Sequence, residues 1–125
     1  MKNVFLFLMS FFSIVSLAQT EEEKKQAKLL AYTAIQKMDS GYVDESITLL
    51  KKSQKLDPDN MDYPYELGYA SYLKKNYKMT VKYLEPLTKH KDLTDRVFQM
   101  LGNAYDMQGK TDKALEAYEK GKKAF

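Results

Sequence analysis

The sequence has no cysteine and only one histidine among its 125 residues. Without cysteine the chain forms no disulfide and offers no site for a lipoprotein anchor, so its fold must be held by packing alone. A single histidine, His90, does not provide a histidine-rich metal site, and its place among lysines favours solvation or a helix-terminal role over catalysis. No G-x-S-x-G motif and no phosphate-binding glycine loop is present. These absences argue against an enzyme, a metal centre and a cofactor.

A strong charge of one sign is also missing, because the net charge is only +3. Such a balance gives no strong field for nucleic acid or for a membrane surface. Six lysines gather between residues 74 and 91, where a solvated helix face is favoured over an anion-binding patch. The acidic run at residues 57–62 lacks the fifth ligand and the glycine of a calcium loop, so it is interpreted as a turn and helix cap.

The longest apolar run stands at the beginning of the sequence. Lys2 precedes residues 4–17, which are rich in Phe, Leu, Ile and Val and end in small residues. A positive start, an apolar middle and small residues before the cut are typical of a secretory signal peptide. About 15 apolar residues interrupted by serines fall short of the roughly 20 that span a bilayer. We predict a signal peptide over residues 1–18, cleaved after Ala18, and an exported protein that is periplasmic or secreted, with an uncleaved anchor as the alternative.

A repeated pattern fills the rest of the chain. The segment FQMLGNAY at residues 98–105 is followed by ALEAY at residues 114–118. The leucine, glycine and alanine of the first segment recur in LGYAS at residues 67–71, which gives a period of roughly 34 residues. A weaker copy lies one further period back, and its second half, GYVDESI from residue 41, ends in LDPD. With Phe98 and Tyr118 in place of the usual aromatic residues, the chain resembles the tetratricopeptide-repeat family.

The resemblance implies an all-α fold, a right-handed superhelix of antiparallel helix pairs. Its units fall at residues 27–60, 61–94 and 95–125, the last with an incomplete end, and residues 19–26 extend the first helix. Helices are predicted at about residues 21–39, around Ile47, Leu50 and Leu56, and at about residues 61–74, 78–89, 95–108 and 112–124.

Three local signals refine these helices. Thr20 with Glu23 is typical of a capping box, so we expect the first helix to begin at residue 21. Pro86 falls inside the fourth helix and should kink or split it, because proline has no N–H to donate. Gly109 is expected to end the fifth helix.

The resemblance also implies a binding surface, since proteins of this family bind extended peptides on the concave side formed by the first helix of each unit. By position, the groove-facing residues are Lys28, Ala31, Ile35 and Met38, then Asp62, Tyr65, Tyr69 and Tyr72, then Arg96, Gln99, Asn103 and Asp106. The family's carboxylate clamp is not expected, because Ala31 and Ile35 stand where it needs lysine and asparagine.

The partner-binding residues predicted within this groove are Tyr65, Tyr69, Tyr72, Arg96 and Asn103. The three tyrosines stand at i, i+4 and i+7, so they share one helical face. Phenol rings suit a wet groove, because they offer apolar surface with a polar tip. Tyr69 is the sharper prediction, because its position usually holds a small polar residue, whereas Tyr65 and Tyr72 have packing as an alternative role.

The end of the third unit raises two alternatives to a peptide-binding adaptor. Repeat arrays normally finish with a polar capping helix, whereas Ala117, Tyr118 and Phe125 have no following helix in this sequence. The exposed face indicates either the front part of a longer protein, which is favoured, or a structural module that self-associates through this face. The sequence thus predicts an exported, non-enzymatic adaptor or scaffold for a protein or peptide, without cofactor, nucleic acid or membrane span after signal cleavage.

Overall fold

The computed structural model describes the backbone of residues 2–123 and the side chains of residues 20–93 and 95–123. Over that range the chain is all-α, with antiparallel helix pairs stacked in order. The helices are α1 (Lys2–Asp39), α2 (Val43–Leu56), α3 (Asp62–Leu73), α4 (Tyr77–Leu84), a 3-10 helix (Glu85–Lys89), α5 (Thr94–Met107) and α6 (Thr111–Lys123). We call α1, α3 and α5 the first helices, and α2, α4 and α6 the second helices.

Helix α1 is longer than the sequence analysis predicts. A start at residue 21 is wrong, because α1 runs unbroken from Lys2 to Asp39. No glycine or proline interrupts this stretch, so nothing stops the helix at Thr20. The side chains of residues 1–18, where the signal peptide is predicted, and residue Phe125 lie outside the described part. Among the residues that the structure describes, none of the helices is both long enough and apolar enough to cross a membrane.

Close packing within each helix pair rests on a small residue of the first helix. A Cβ placed on Gly68 would lie 2.7 Å from the Leu84 side chain, and one on Gly102 would lie 2.3 Å from the Tyr118 ring. The contact of Gly102 with Tyr118 repeats the contact of Gly68 with Leu84 one repeat period later in the sequence. The sequence interpretation of Gly102 as room for the neighbouring helix is therefore confirmed.

The turn inside each helix pair repeats with the same period. Gly41, Lys75 and Gly109 have positive φ angles of 88°, 60° and 73°. In each turn the next N–H donates back to the first helix, as from Tyr42 to the Lys37 carbonyl at 2.8 Å and from Lys110 to the Tyr105 carbonyl at 2.9 Å. These are Schellman C-caps, which favour glycine because it has no Cβ to clash at positive φ. The second unit forms the same turn with lysine instead.

The fourth helix is split at Pro86, as the sequence predicts. Helix α4 ends at Leu84, and the chain continues as a 3-10 helix with the proline in its first turn. Proline is tolerated there because its missing N–H would have no helical partner. The segment stays attached to the body through two buried leucines, Leu87 and Leu93. The joint between the second and third units is therefore irregular but anchored.

Two apolar clusters hold the stack together. One surrounds Leu50 and Leu67, and the other surrounds Leu84, Val97 and Leu101. Burial of each such side chain contributes about 1.5–3 kcal/mol of transfer free energy. Each cluster joins a helix pair to a helix of its neighbour, so the units support one another in sequence.

Candidate partner-binding surface

The first helices lie next to one another along one side of the stack. Helix α1 contacts α3 and α3 contacts α5, whereas the second helices make at most a marginal contact with one another in the described residues. We therefore take the side lined by the first helices as the concave surface, as the tetratricopeptide-repeat resemblance implies.

Three positions on each first helix share the side that faces this concavity. They follow the spacing i, i+3 or i+4, and i+7, which places them on one face of a helix. The concave face, as we define it, consists of Tyr32, Ile35, Asp39, Glu66, Tyr69, Leu73, Met100, Asn103 and Met107.

The concave face is unusually apolar for an open surface. Eight large apolar side chains are exposed in the described part, and five of them lie on this face: Tyr32, Ile35, Tyr69, Leu73 and Met107. They come from all three first helices. Because exposed apolar residues normally occur singly, their concentration on one surface makes it the candidate interaction site.

Tyr69 lies at the middle of the concave face. Its side chain is 36% exposed, and Ile35 occupies the same position one unit earlier with the same exposure. Tyr65 and Tyr72 are half-buried and lie at the side of α3 that faces the third unit. The Tyr72 ring packs edge-on against Tyr77, with ring centres 5.4 Å apart. Of the three predicted tyrosines, Tyr69 alone has its side chain on the open face.

Tyr65 and Arg96 form a contact between α3 and α5. The guanidinium of Arg96 lies 5.1 Å from the centre of the Tyr65 ring, which is cation–π geometry. Burial raises the pKa of the Tyr65 hydroxyl, and the nearby Arg96 charge partly offsets that rise. The pair stabilises the junction of two units at the edge of the concave face.

Asn103 is held in place by a residue of the same helix pair. The hydroxyl of Tyr118 donates a hydrogen bond to Asn103 Oδ1 at 2.7 Å. The Asn103 side chain stays partly exposed. Asn103 therefore presents a fixed polar group at the position where the first two units carry Ile35 and Tyr69.

Several of the residues assigned to the groove by position lie off the concave face. Ala31 and Met38 are buried, with exposures of 7% and 5%. One unit later Tyr65 is half-buried, and in the third unit Gln99 is exposed. These positions face the following unit rather than the concavity, so they are covered wherever a unit follows. The prediction of Ala31 and Met38 as groove residues is wrong for that reason.

A similar correction applies to the end of the third unit. Ala117 is buried against the body, although it was expected on the uncovered end face. The exposed apolar residue of that helix is Leu115, which the sequence analysis did not name. Phe125 lies outside the described residues.

Glu66 adds a charge beside Tyr69 that sequence reasoning missed. Burial raises the pKa of its carboxyl, Arg96 lowers it, and the carboxylates of Asp62 and Asp39 raise it further. The concave face thus carries acidic groups in its middle and a guanidinium at its edge. The apolar pair Leu73 and Met107 was also missed, although their separation by one repeat period was a readable signal.

Comparison with known proteins gives structural but not sequence relatives. No protein-family model matches the chain, and a search of curated proteins found no match. Among solved structures, MamA RS-1, an ArsTM double mutant, matches with a TM-score of 0.73 and 26% identity over 83% of this chain. MamA AMB-1, in a P212121 crystal form, matches with a TM-score of 0.67 and 20% identity over 87% of this chain.

The chain spans 58% of the length of the MamA RS-1 chain and 72% of the MamA AMB-1 chain. MamA is a tetratricopeptide-repeat-like scaffold protein. The likeness covers most of the described helices and agrees with the repeat period that runs through the sequence, the turns and the helix contacts. The chain therefore has the fold of a tetratricopeptide-repeat protein, a stack of antiparallel helix pairs.

Proposed function

We propose that the protein is an exported adaptor whose concave face binds a peptide segment of a protein partner. The observation that carries this proposal is the concentration of exposed apolar side chains on the concave face, centred on Ile35 and Tyr69. The apolar N-terminal run supports export. The adaptor has no chemistry of its own and acts by holding its partner.

The binding mechanism follows from the rigidity of the stack. The helices around the concave face are fixed by the two apolar clusters before any partner arrives. Less conformational entropy is then lost on association than with a flexible receptor. Ile35, Tyr69 and Leu73 offer apolar contact to side chains of the partner, while the Asn103 amide offers a hydrogen bond.

The test uses two tyrosines that differ in location. A photo-crosslinking residue, p-benzoylphenylalanine, replaces Tyr69 on the concave face or Tyr42, which is 56% exposed in the turn before α2. Irradiation of cells that export the whole chain should give a discrete adduct from position 69 and none from position 42. The adduct identifies the partner by mass spectrometry.

Affinity for the identified partner then completes the test. Tyr69→Ala should weaken binding at least about tenfold, as expected for a central aromatic contact, whereas Tyr42→Ala should leave it unchanged. Equal adducts from both positions, or an affinity indifferent to Tyr69→Ala, would contradict binding on the concave face.

A further inference from the structure

A cleft of about 610 Å³ opens at the end of the stack, against α5 and α6. We call it the end cleft. The residues that line it include Gln99, Leu115, Tyr118 and Gly121. Within the described residues no further helix packs over it. Leu115 is 56% exposed there.

The end cleft corresponds to an interior contact of the stack. The residues one repeat period before Leu115, Tyr118 and Gly121 are Val81, Leu84 and Leu87. In the second unit these three lie in the apolar cluster that receives helix α5. Within the described residues, the third unit therefore presents the corresponding surface without a helix packed on it, and Gly121, buried against Phe98, stands where the second unit has Leu87.

The opposite end of the stack carries the matching half of that contact. Leu29 is 67% exposed on α1, whereas its counterparts in the second and third units, Tyr63 and Val97, are 3% and 0% exposed. Those counterparts are buried because they pack on the preceding unit. We define the N-terminal face as the surface formed by Leu29, Thr33 and Gln36. Their counterparts in the third unit are Val97, Leu101 and Ala104.

We propose that copies of the chain associate head to tail, with the N-terminal face of one copy packed into the end cleft of the next. The occupant is a second copy because this chain makes the same type of contact twice inside itself, between its successive units. Leu29 of the incoming copy takes the place that Val97 holds in the internal contact, beside Leu115 and Tyr118 of the receiving copy.

Two physical consequences follow from this geometry. The two surfaces differ, so the contact is heterologous and leaves one free end on each side, which extends to a chain of copies rather than closing as a dimer. The polar side chains of Thr33 and Gln36 stand where the internal contact has Leu101 and Ala104, so association is weaker than the internal packing and depends on concentration. The end cleft borders the concave face at Met100 and Asn103, whereas Ile35, Tyr69 and Leu73 lie outside the residues that line the cleft.

The experiment measures molar mass by sedimentation velocity on protein purified from cells that express the whole chain. The wild type should grow from one chain to two and more as concentration rises about a hundredfold. Leu29→Glu and Leu115→Glu, each altered at an exposed position, should both stay at the mass of one chain. Leu73→Glu, which changes an exposed leucine of the concave face, is the matched control and should assemble like the wild type.

Mixing the two disabled variants decides the arrangement. The Leu29→Glu copy keeps its end cleft and the Leu115→Glu copy keeps its N-terminal face, so an equimolar mixture should form complexes of two chains and nothing larger. Circular dichroism confirms that each variant is folded. A wild type that stays at one chain throughout, assembly that survives Leu29→Glu, or a mixture that remains at one chain would each overturn head-to-tail association. These readouts do not involve Tyr69, so they separate this inference from the proposed adaptor function.

Discussion

The ring of Tyr118 packs so closely on Gly102 that a methyl carbon at Gly102 would lie 2.3 Å from ring atom Cε1. The hydroxyl of the same ring donates a hydrogen bond to Asn103 on the concave face. A single side chain of α6 thus sets both the spacing of the third helix pair and the orientation of a polar group on the candidate binding surface.

Gly102→Ala should destabilise the protein through this contact. Alanine gains about 1 kcal/mol of helix propensity over glycine, but forcing the Tyr118 ring away costs about 1–3 kcal/mol. We expect a net loss of up to about 2 kcal/mol in the free energy of unfolding, measured by urea denaturation. In a Tyr118→Ala background the same change should no longer destabilise. A loss of equal size in both backgrounds would rule out the ring as the cause.

Lys75→Gly should stabilise the protein. Lys75 has a φ of 60°, a left-handed conformation that costs a residue with a Cβ about 1–2 kcal/mol. Glycine removes this cost, but part of the resulting gain in stability is offset because glycine has more conformational freedom in the unfolded chain. The expected result is a gain of about 0.5–1 kcal/mol in the free energy of unfolding. Lys75→Ala, which keeps the Cβ, is the control and should give no such gain.

Glu66→Gln should change stability in a pH-dependent manner. The pKa of Glu66 is raised in the folded state, chiefly by burial, so its favourable contribution is complete below the unfolded pKa and is lost as pH rises through the folded value. Glutamine does not ionise, so the Glu66→Gln variant does not lose this stability as pH rises. The change in melting temperature caused by Glu66→Gln should therefore be more positive at pH 7 than at pH 4.

Glu116→Gln supplies a control of opposite sign. A hydrogen bond from Lys120 and its charge lower the pKa of Glu116, so this carboxylate stabilises the fold above its unfolded pKa. Its replacement should lower the melting temperature more at pH 7 than at pH 4. The same sign for both variants would contradict the environments described for the two carboxyls.

Tyr105→Phe should weaken the link between the second and third units. The Tyr105 hydroxyl donates to the Glu85 carboxylate, and burial together with this bond raises the pKa of Tyr105 to about 12. Loss of the bond should cost about 1 kcal/mol at neutral pH.

The same variant has an expected alkaline signature. A raised tyrosine pKa means that the contribution is present below about pH 10 and disappears as pH rises to about 12. The difference in melting temperature between the wild type and Tyr105→Phe should therefore shrink over that interval. Tyr42→Phe, which alters an exposed ring in a turn, should track the wild type, and a difference that stays constant with pH would argue against the Glu85 bond.

The helix pairs were predictable because their geometry depends on residues that recur with one period. Gly68 and Gly102 mark the close approach of two helices, and Pro86 marks the break after α4; the structure contains all three features. Features that depend on the type of a single residue, such as these, can be predicted from the sequence alone. The conformation of Lys75 was not readable, because only the turns on either side show that its position requires a positive φ.

The candidate surface was only partly predictable. Tyr69 and Ile35 were assigned to it from repeat position, and their side chains are exposed there. Ala31 and Met38 were misassigned because their exposure depends on the size of side chains in the following unit, which a position rule does not contain. Leu115 was missed because helix phase, rather than hydrophobicity, decides which side of α6 faces outward.

The 3-10 segment after α4 gives the stack one mechanically distinct place. Elsewhere successive helices meet through turns of a few residues, but here the chain passes through Glu85–Lys89 and a further turn, held at Leu87 and Leu93. The 3-10 helix has poorer hydrogen-bond geometry than the α-helices on either side of it, so it resists bending less than they do. Any change in the spacing of the first helices should therefore concentrate between the second and third units, while each helix pair moves as one piece.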